Sequence, residues 1–258
     1  MTEVTVQLMG GLGNQLFQVA AAYAYAKRHN KQLVLNTTVI GGRPTYYDTW
    51  LHAFSKHINP RFIARTQYNE PFFHYKSIPT NIQKLYGYFQ SSKYFDDCKE
   101  DIRKLFDLPI SLKESIHTKY AWLLALKDVG VVMHVRRTDY FTKENTSYHG
   151  VITENYYHNS ITKIRTIKPD GRIIVFSDDL EWCKTKLGSD VIYIDEPADY
   201  ISLYLMSQFH MYIISNSSFS WWATWLGEPA TTVIAPDQWF GPAGPQDWSD
   251  IYEPNWFM

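Results

Sequence analysis

The sequence predicts an α/β fold, and three observations predict it. Strands and helices alternate regularly from Val129 to Ala235, the chain opens as strand, glycine-rich turn, helix and strand, and apolar strand runs end in polar clusters. Alternation at this spacing builds parallel sheets with right-handed crossovers, because parallel neighbours need a connection long enough to return along a face. A chain of 258 residues can hold one large domain or two small ones around a substantial core.

Val4 to Leu8 alternates as a short strand and breaks into Gly10-Gly11-Leu12-Gly13-Asn14. From Gln15 to about His29, Leu16, Val19, Ala20, Tyr23 and Ala26 fall on one helical face, and Lys31 to Leu35 reads as a second strand. The turn is not a dinucleotide fingerprint: the third glycine is missing, and Asn36 stands where an acidic residue would end the second strand. Nor does it carry the Lys-Ser/Thr of a phosphate-binding P-loop. Its physical content is a close backbone approach, with Asn14 and Gln15 as amide hydrogen-bonders.

Gly41 to Pro79 has no sustained period and reads as an irregular rim rich in Tyr, Phe, His and Pro. Lys84 to Gln90 reads as a strand, Lys93 to Phe106 as a helix, and Ser111 as the cap of a helix reaching Lys127. Asp128 marks the expected boundary between two Rossmann-like halves, 1–127 and 128–258. In the second half, strands are expected at Val129–Val135, Arg172–Phe176, Val191–Ile194, Met211–Ile214 and Thr231–Ala235. Between them stand a polar loop over Tyr140–Gly150, a helix over Thr153–Ile167 capped by Thr153, and helices ending at Leu187, Phe209 and Leu226.

The net charge of −1 offers no long-range field to nucleic acid or membrane surfaces. Aromatics, 16% of residues, can stack on sugars or bases as readily as fill a core. Cys98 and Cys183 form neither a disulfide framework nor a metal-ligand pattern. With no leader-like start and no apolar run of the roughly 18 residues a membrane span requires, the expectation is a cytoplasmic protein without an integral membrane segment.

Three strand ends carry the chemistry: His134-Val-Arg136-Arg137-Thr-Asp139, Ser177-Asp178-Asp179 and Asn216-Ser217-Ser218-Phe219. On a parallel sheet these C-terminal ends share one edge, where ligands bind. Alternation puts His134 and Arg136 on one face and points Arg137 to the other, where it can pair internally, with Asp139 for example. Two arginines are costly to bury without an anion. Ser217-Ser218 opens a helix whose N-terminus favours one. Asp178 or Asp179 can accept the paired N–H groups of guanine, and no Asp-x-Asp motif suggests a metal. Trp221 and Trp222 read as core. Together these features describe a metal-free nucleotide-diphosphate site in a glycosyltransferase of the two-Rossmann-domain type.

Gly10-Gly-Leu-Gly-Asn-Gln15, His134-x-Arg-Arg-x-Asp139-Tyr, Phe176-Ser-Asp-Asp and Asn216-Ser-Ser-Phe-Ser-Trp-Trp222 resemble the motifs of the α-1,2-fucosyltransferases of glycosyltransferase family 11. Gly87-Tyr-Phe-Gln90 and His149-Gly-Val-x-x-x-x-Tyr-Tyr157 resemble its bacterial members. The resemblance implies two facing Rossmann-like domains of the GT-B type. It also implies an inverting, metal-independent transfer of L-fucose from GDP-β-L-fucose to a galactoside 2-hydroxyl, with no cofactor. Carried over, Arg136 binds the β-phosphate and His134 lies by the guanine. Asp178 or Asp179 contacts the base, and Ser217 or Ser218 holds the phosphate. Ser177, Asn216 and Phe219 are further donor-binding residues, and Gly11, Leu12, Gly13 and Asn14 line the donor from the first domain. For the general base, Asp139 and Glu144 rank equally, with His149 third. The chain departs from the family in its shortness between residues 36 and 85, and in Thr138, where glycine is common and where threonine resembles the α-1,6 enzymes. The rivals are another GDP-fucose-dependent enzyme (α-1,6- or protein O-linked) and a non-catalytic carbohydrate-binding protein.

Overall fold

The computed structural model describes residues 2–138, 143–227 and 230–257, the side chains of Lys143 and Glu144 excepted. The chain divides into two compact units, one of Met1–Leu112 with Asp247–Glu253, the other of Lys113–Gln246 with Pro254–Met258.

In the first unit, β1 (Glu3–Val6) buries Val4 and Val6 while Glu3 and Thr5 are half-buried, the alternation of a pleated strand. After the two-residue β2 (Leu8–Met9) comes α1 (Leu12–Arg28). The expected single apolar face understates α1: Ala21, Ala22 and Ala24 are buried as well as Leu16, Val19 and Ala20. A helix apolar nearly all round belongs inside. β3 (Gln32–Leu33) and β4 (Val39–Ile40) follow, then β5 (Gln67–Asn69) and β6 (Lys84–Tyr86). The parallel sheet runs β3-β1-β6-β5, with β2 paired to β4 separately. β5 lies inside the stretch expected to be irregular. Three residues, two of them exposed, leave no periodic trace.

The helix expected over Lys93–Phe106 is two 3-10 turns, Ser92–Tyr94 and Asp96–Cys98, followed by α2 (Lys99–Leu105). The segment Asp247–Glu253 returns to this unit, where Asp250 accepts from the Tyr75 amide (2.7 Å) and pairs with Lys93.

The units divide after Leu112 rather than near Asp128. The helix expected to close the first half is α3 (Ile110–Lys119) and the short α4 (Ala121–Leu124), broken at Tyr120. Their polar contacts lie within the second unit: His117 meets the Tyr204 hydroxyl at 2.8 Å, and buried Glu196 accepts from Lys119 and the Tyr120 hydroxyl.

The second unit is built on β7 (Gly130–Val135), buried at all six positions. α5 (Lys143–His149) and α6 (Glu154–Ile167) follow, then β8 (Arg172–Ser177), α7 (Leu180–Leu187), β9 (Ile192–Ile194), α8 (Asp199–Met206), β10 (Met211–Ile213), α9 (Ser218–Leu226) and β11 (Thr232–Ile234). The sheet is parallel throughout, in the order β11-β10-β7-β8-β9. α6 buries Tyr157, Ser160, Ile161 and Ile164, an i, i+3, i+4, i+7 stripe, against Val131, Met133 and Val135 of β7. Thr153 stands at its N-cap without a side-chain capping bond, contrary to expectation. Trp221 and Trp222 are fully buried, their rings 5.1 Å apart, as core residues.

Candidate active site

The order β11-β10-β7-β8-β9 has a consequence for ligand binding. From β7 the chain builds outward through β8 and β9, then crosses to the other side of β7 for β10 and β11. β7 therefore sits at the topological switch point, where connections leave in opposite directions and open a crevice beyond the strand's C-terminal end. His134 to Thr138 stands at that end, and contacts join it to both neighbours. His134 Nδ1 lies 2.8 Å from the Ser215 hydroxyl after β10, and Arg136 Nη1 lies 3.3 Å from Asp178 after β8.

His134 is buried, with its ring 5.4 Å from that of Phe219. Burial, reinforced by the Arg136 charge, holds its pKa far below the usual imidazole range, so it is neutral at physiological pH. A neutral imidazole against an aromatic ring suits a planar, uncharged partner.

The two arginines divide as strand alternation requires. Arg137 is the more enclosed: its Nε reaches Asp179 at 3.1 Å, and its guanidinium lies 3.8 Å over the Trp182 ring. Asp179 is thus a partner of Arg137; Asp139, the partner suggested by sequence, lies outside the described residues. Arg136 keeps 30% of its side chain exposed. It is the arginine of the pair with room for a ligand.

Asp178 accepts from the Arg137 amide (2.9 Å), the Thr138 amide (3.2 Å) and the Thr138 hydroxyl (2.6 Å). Burial opposes its ionisation, but the Thr138 bond and the Arg136 charge prevail and hold its carboxyl below the usual range. Asp179 is committed further: besides Arg137 it caps α7, accepting from the Trp182 amide at 3.1 Å, while the Asp179 amide donates to the Ser177 hydroxyl. Both carboxylates shape the arginine loop, a task the sequence did not disclose.

After β10, Asn216 donates to the carbonyls of His149 (2.6 Å) and Trp239 (3.0 Å). Its amide secures chain at this edge. Ser217 caps α9 by accepting from the Phe219 amide, and Ser218 opens the helix, so this dipole's positive end lies at the same sheet edge.

The expected polar loop over Tyr140–Gly150 contains α5. Its last carbonyls are satisfied from a later loop, with Gly241 N donating to Tyr148 and Ala243 N to Ser147. The approach demands glycine, since a Cβ on Gly241 would stand 2.4 Å from the Ser147 carbonyl oxygen. Glu144 lies in the first turn of this helix and His149 at its end.

In the first unit, the turn before α1 is set by glycine and buried amides. Gly10 has φ 75°, and a Cβ there would meet Asn14 Nδ2 at 2.4 Å. Gln18 bonds both backbone groups of Met9, Gln15 donates to Gly10 and Pro44, and Asn14 accepts from Gln90 at 2.9 Å. Gly11 is the N-cap of α1, and Leu12 and Gly13 are buried in its first turn. Among the described residues, no group of three His, Cys, Asp or Glu could hold a metal ion, and no helix is long and apolar enough to cross a membrane.

Residues 51–258 match the family model described as Glycosyl transferase family 11. An α-1,2-colitosyltransferase of Escherichia coli is 32% identical over 273 residues, covering 93% of each chain. The Bos taurus galactoside 2-alpha-L-fucosyltransferase SEC1 is 24% identical, covering 90% of this chain and 66% of its own. Among solved structures, the NodZ α-1,6-fucosyltransferase soaked with GDP-fucose aligns with TM-score 0.56 at 16% identity, over 92% of this chain and 96% of its own. At that identity the likeness carries the fold, the two-unit α/β arrangement of GT-B fucosyltransferases.

Proposed function

Because the chain belongs to glycosyl transferase family 11, we propose that it transfers L-fucose from GDP-β-L-fucose to the 2-hydroxyl of a terminal galactoside, with inversion and without a metal. The observation that carries the reading is the meeting of His134, Arg136 and Ser218 at the switch-point edge of one parallel sheet. Support for the sugar, the linkage and the nucleotide comes from the names of similar proteins: an α-1,2 transferase, a galactoside 2-alpha-L-fucosyltransferase and an enzyme soaked with GDP-fucose.

The step is a single displacement. The acceptor oxygen forms a bond to the sugar's anomeric carbon as the bond from that carbon to the β-phosphate oxygen breaks. Negative charge collects on the departing phosphate. Arg136 and the α9 N-terminus meet that charge, stabilising the transition state more than the bound donor. The acceptor proton passes to a carboxylate, Asp139 or Glu144, with His149 third. Neutral His134 and Phe219 lie against the guanine. Ser217 serves chiefly as the cap that aims α9, and Asp178 and Asp179 chiefly hold Arg136 and Arg137.

A second donor is favoured by the 32% identical relative named for colitose. The test is incubation with GDP-fucose or GDP-colitose, EDTA, and an array of lactose, N-acetyllactosamine and galactosyl-N-acetylhexosamine, with product linkage read by NMR. A 2-O-α-fucosyl galactoside is expected. Turnover with GDP-colitose alone would replace the sugar, a 6-linked product would point to the α-1,6 rival, and binding of glycan without nucleotide would indicate a lectin.

A further inference from the structure

Ser215 stands between β10 and the Asn216-Ser-Ser-Phe-Ser-Trp-Trp motif and belongs to neither. The register pairs Ile213 of β10 with Met133 of β7, so the chain beyond Ile213 runs beside His134. The Ser215 carbonyl accepts from the Ser217 amide (2.8 Å) and the Ser220 hydroxyl (3.3 Å), which ties it to the start of α9. Ser215 is fully buried, and its Oγ lies 2.8 Å from His134 Nδ1.

That contact decides where the imidazole keeps its proton. Burial and the Arg136 charge hold the ring neutral against the opposing pull of Asp178, so one nitrogen carries N–H and the other a lone pair. If Nδ1 carried the proton, Ser215 Oγ would accept it, and the serine O–H would itself need an acceptor. Among the described residues Ser215 Oγ has no second hydrogen-bond partner. A buried donor left unmet weights the balance against that tautomer by on the order of tenfold or more. In the satisfied arrangement the Ser215 hydroxyl donates to Nδ1, and the ring proton sits on Nε2. Among the described residues Nε2 makes no hydrogen bond, so its N–H is the ring's spare donor. Guanine presents a carbonyl oxygen where adenine presents an amino group, so a fixed donor accepts one base and rejects the other. Asp178 and Asp179 already accept from the arginine loop, and a donor on His134 selects the base without depending on them.

We propose that Ser215 is a positioning residue for base recognition: its hydroxyl fixes His134 as the Nε2–H tautomer, which offers a donor to the carbonyl oxygen of guanine. The inference rests on the reading that neutral His134 lies against the guanine, and both side chains stand on the edge of one sheet.

The test joins nitrogen-15 NMR of the histidine-labelled intact protein, which reads the tautomer, to calorimetry, which gives Kd for GDP and for ADP. The variants are Ser215→Ala, Ser215→Thr, His134→Phe and the double variant of His134→Phe with Ser215→Ala. The His134 signals are the ones, among nine histidines, that vanish in His134→Phe. The native ring should be Nε2–H alone, and Ser215→Ala should show both tautomers. Ser215→Ala should also weaken GDP binding about tenfold and ADP binding little, so the preference for GDP falls by about the same factor. Ser215→Thr, which keeps the hydroxyl, should restore both readings. In the His134→Phe background Ser215→Ala should cost nothing more, because it acts through the imidazole. An Nδ1–H ring in the native protein overturns the proposal whether or not any variant folds. A native GDP-to-ADP preference in Ser215→Ala, even with a lowered Tm, overturns it too, since a merely structural serine would behave so. A native protein indifferent to the base, or a His134→Phe variant with native Kd for both nucleotides, would remove the reading of His134 against the guanine, and the proposal with it.

Discussion

At the residue scale, one sequence feature, paired arginines after a buried strand, resolves into two jobs. Arg137 is fixed by Asp179 and Trp182, while Arg136 retains exposure beside neutral His134. Strand alternation made that division legible from sequence; the partner was not, because Asp179 is 42 residues away and only the β7–β8 register brings it near. The same distance hid the commitments of Asp178 and Asn216. A carboxylate or amide after a strand looks equally suited to a ligand or to the chain's own amides and carbonyls. Residue identity alone does not decide between them. The base is settled by substitution: of Asp139→Asn and Glu144→Gln, one should abolish transfer while GDP affinity stays near wild type. Full turnover in both would move the role to His149.

At the scale of elements, the long periodic segments were legible and the short ones were not. α1, α6 and β7 follow from patterns spanning six or more residues, whereas β5 has three residues and little burial. α5 was hidden for another reason. Its Lys-Glu-Asn-Thr-Ser sequence is polar, and two distant segments hold its end, through Asn216 after β10 and Gly241 after β11. α5 carries Glu144, one of the two carboxylates proposed as the base. Gly241→Ala would drive a Cβ toward the Ser147 carbonyl and should cost about 1–3 kcal/mol of stability. Its kcat should fall about tenfold, with GDP affinity unchanged, if α5 positions the base. Steady-state kinetics and GDP calorimetry on the variant check this, and unaltered kcat would detach α5 from the chemistry.

At the scale of the whole molecule, the class was legible because parallel sheets impose alternation, and the gathering of polar clusters because such sheets collect their strand ends on one edge. The crossover that makes β7 the switch point was not, since strand order depends on which face each helix covers. Nor was the division after Leu112, which depends on bonds such as His117 to Tyr204 that no local pattern encodes. The central claim is that this edge recognises a β-phosphate through Arg136. The direct measurement is the affinity of the intact protein and of Arg136→Ala for GDP and for GMP, taken by calorimetry at one salt concentration. The native protein should prefer GDP by about 10–100-fold, the worth of one charge-assisted contact, and Arg136→Ala should lose most of that preference and about 10²–10³ in kcat. An undiminished GDP preference in Arg136→Ala would contradict the account and leave Arg136 as part of the scaffold.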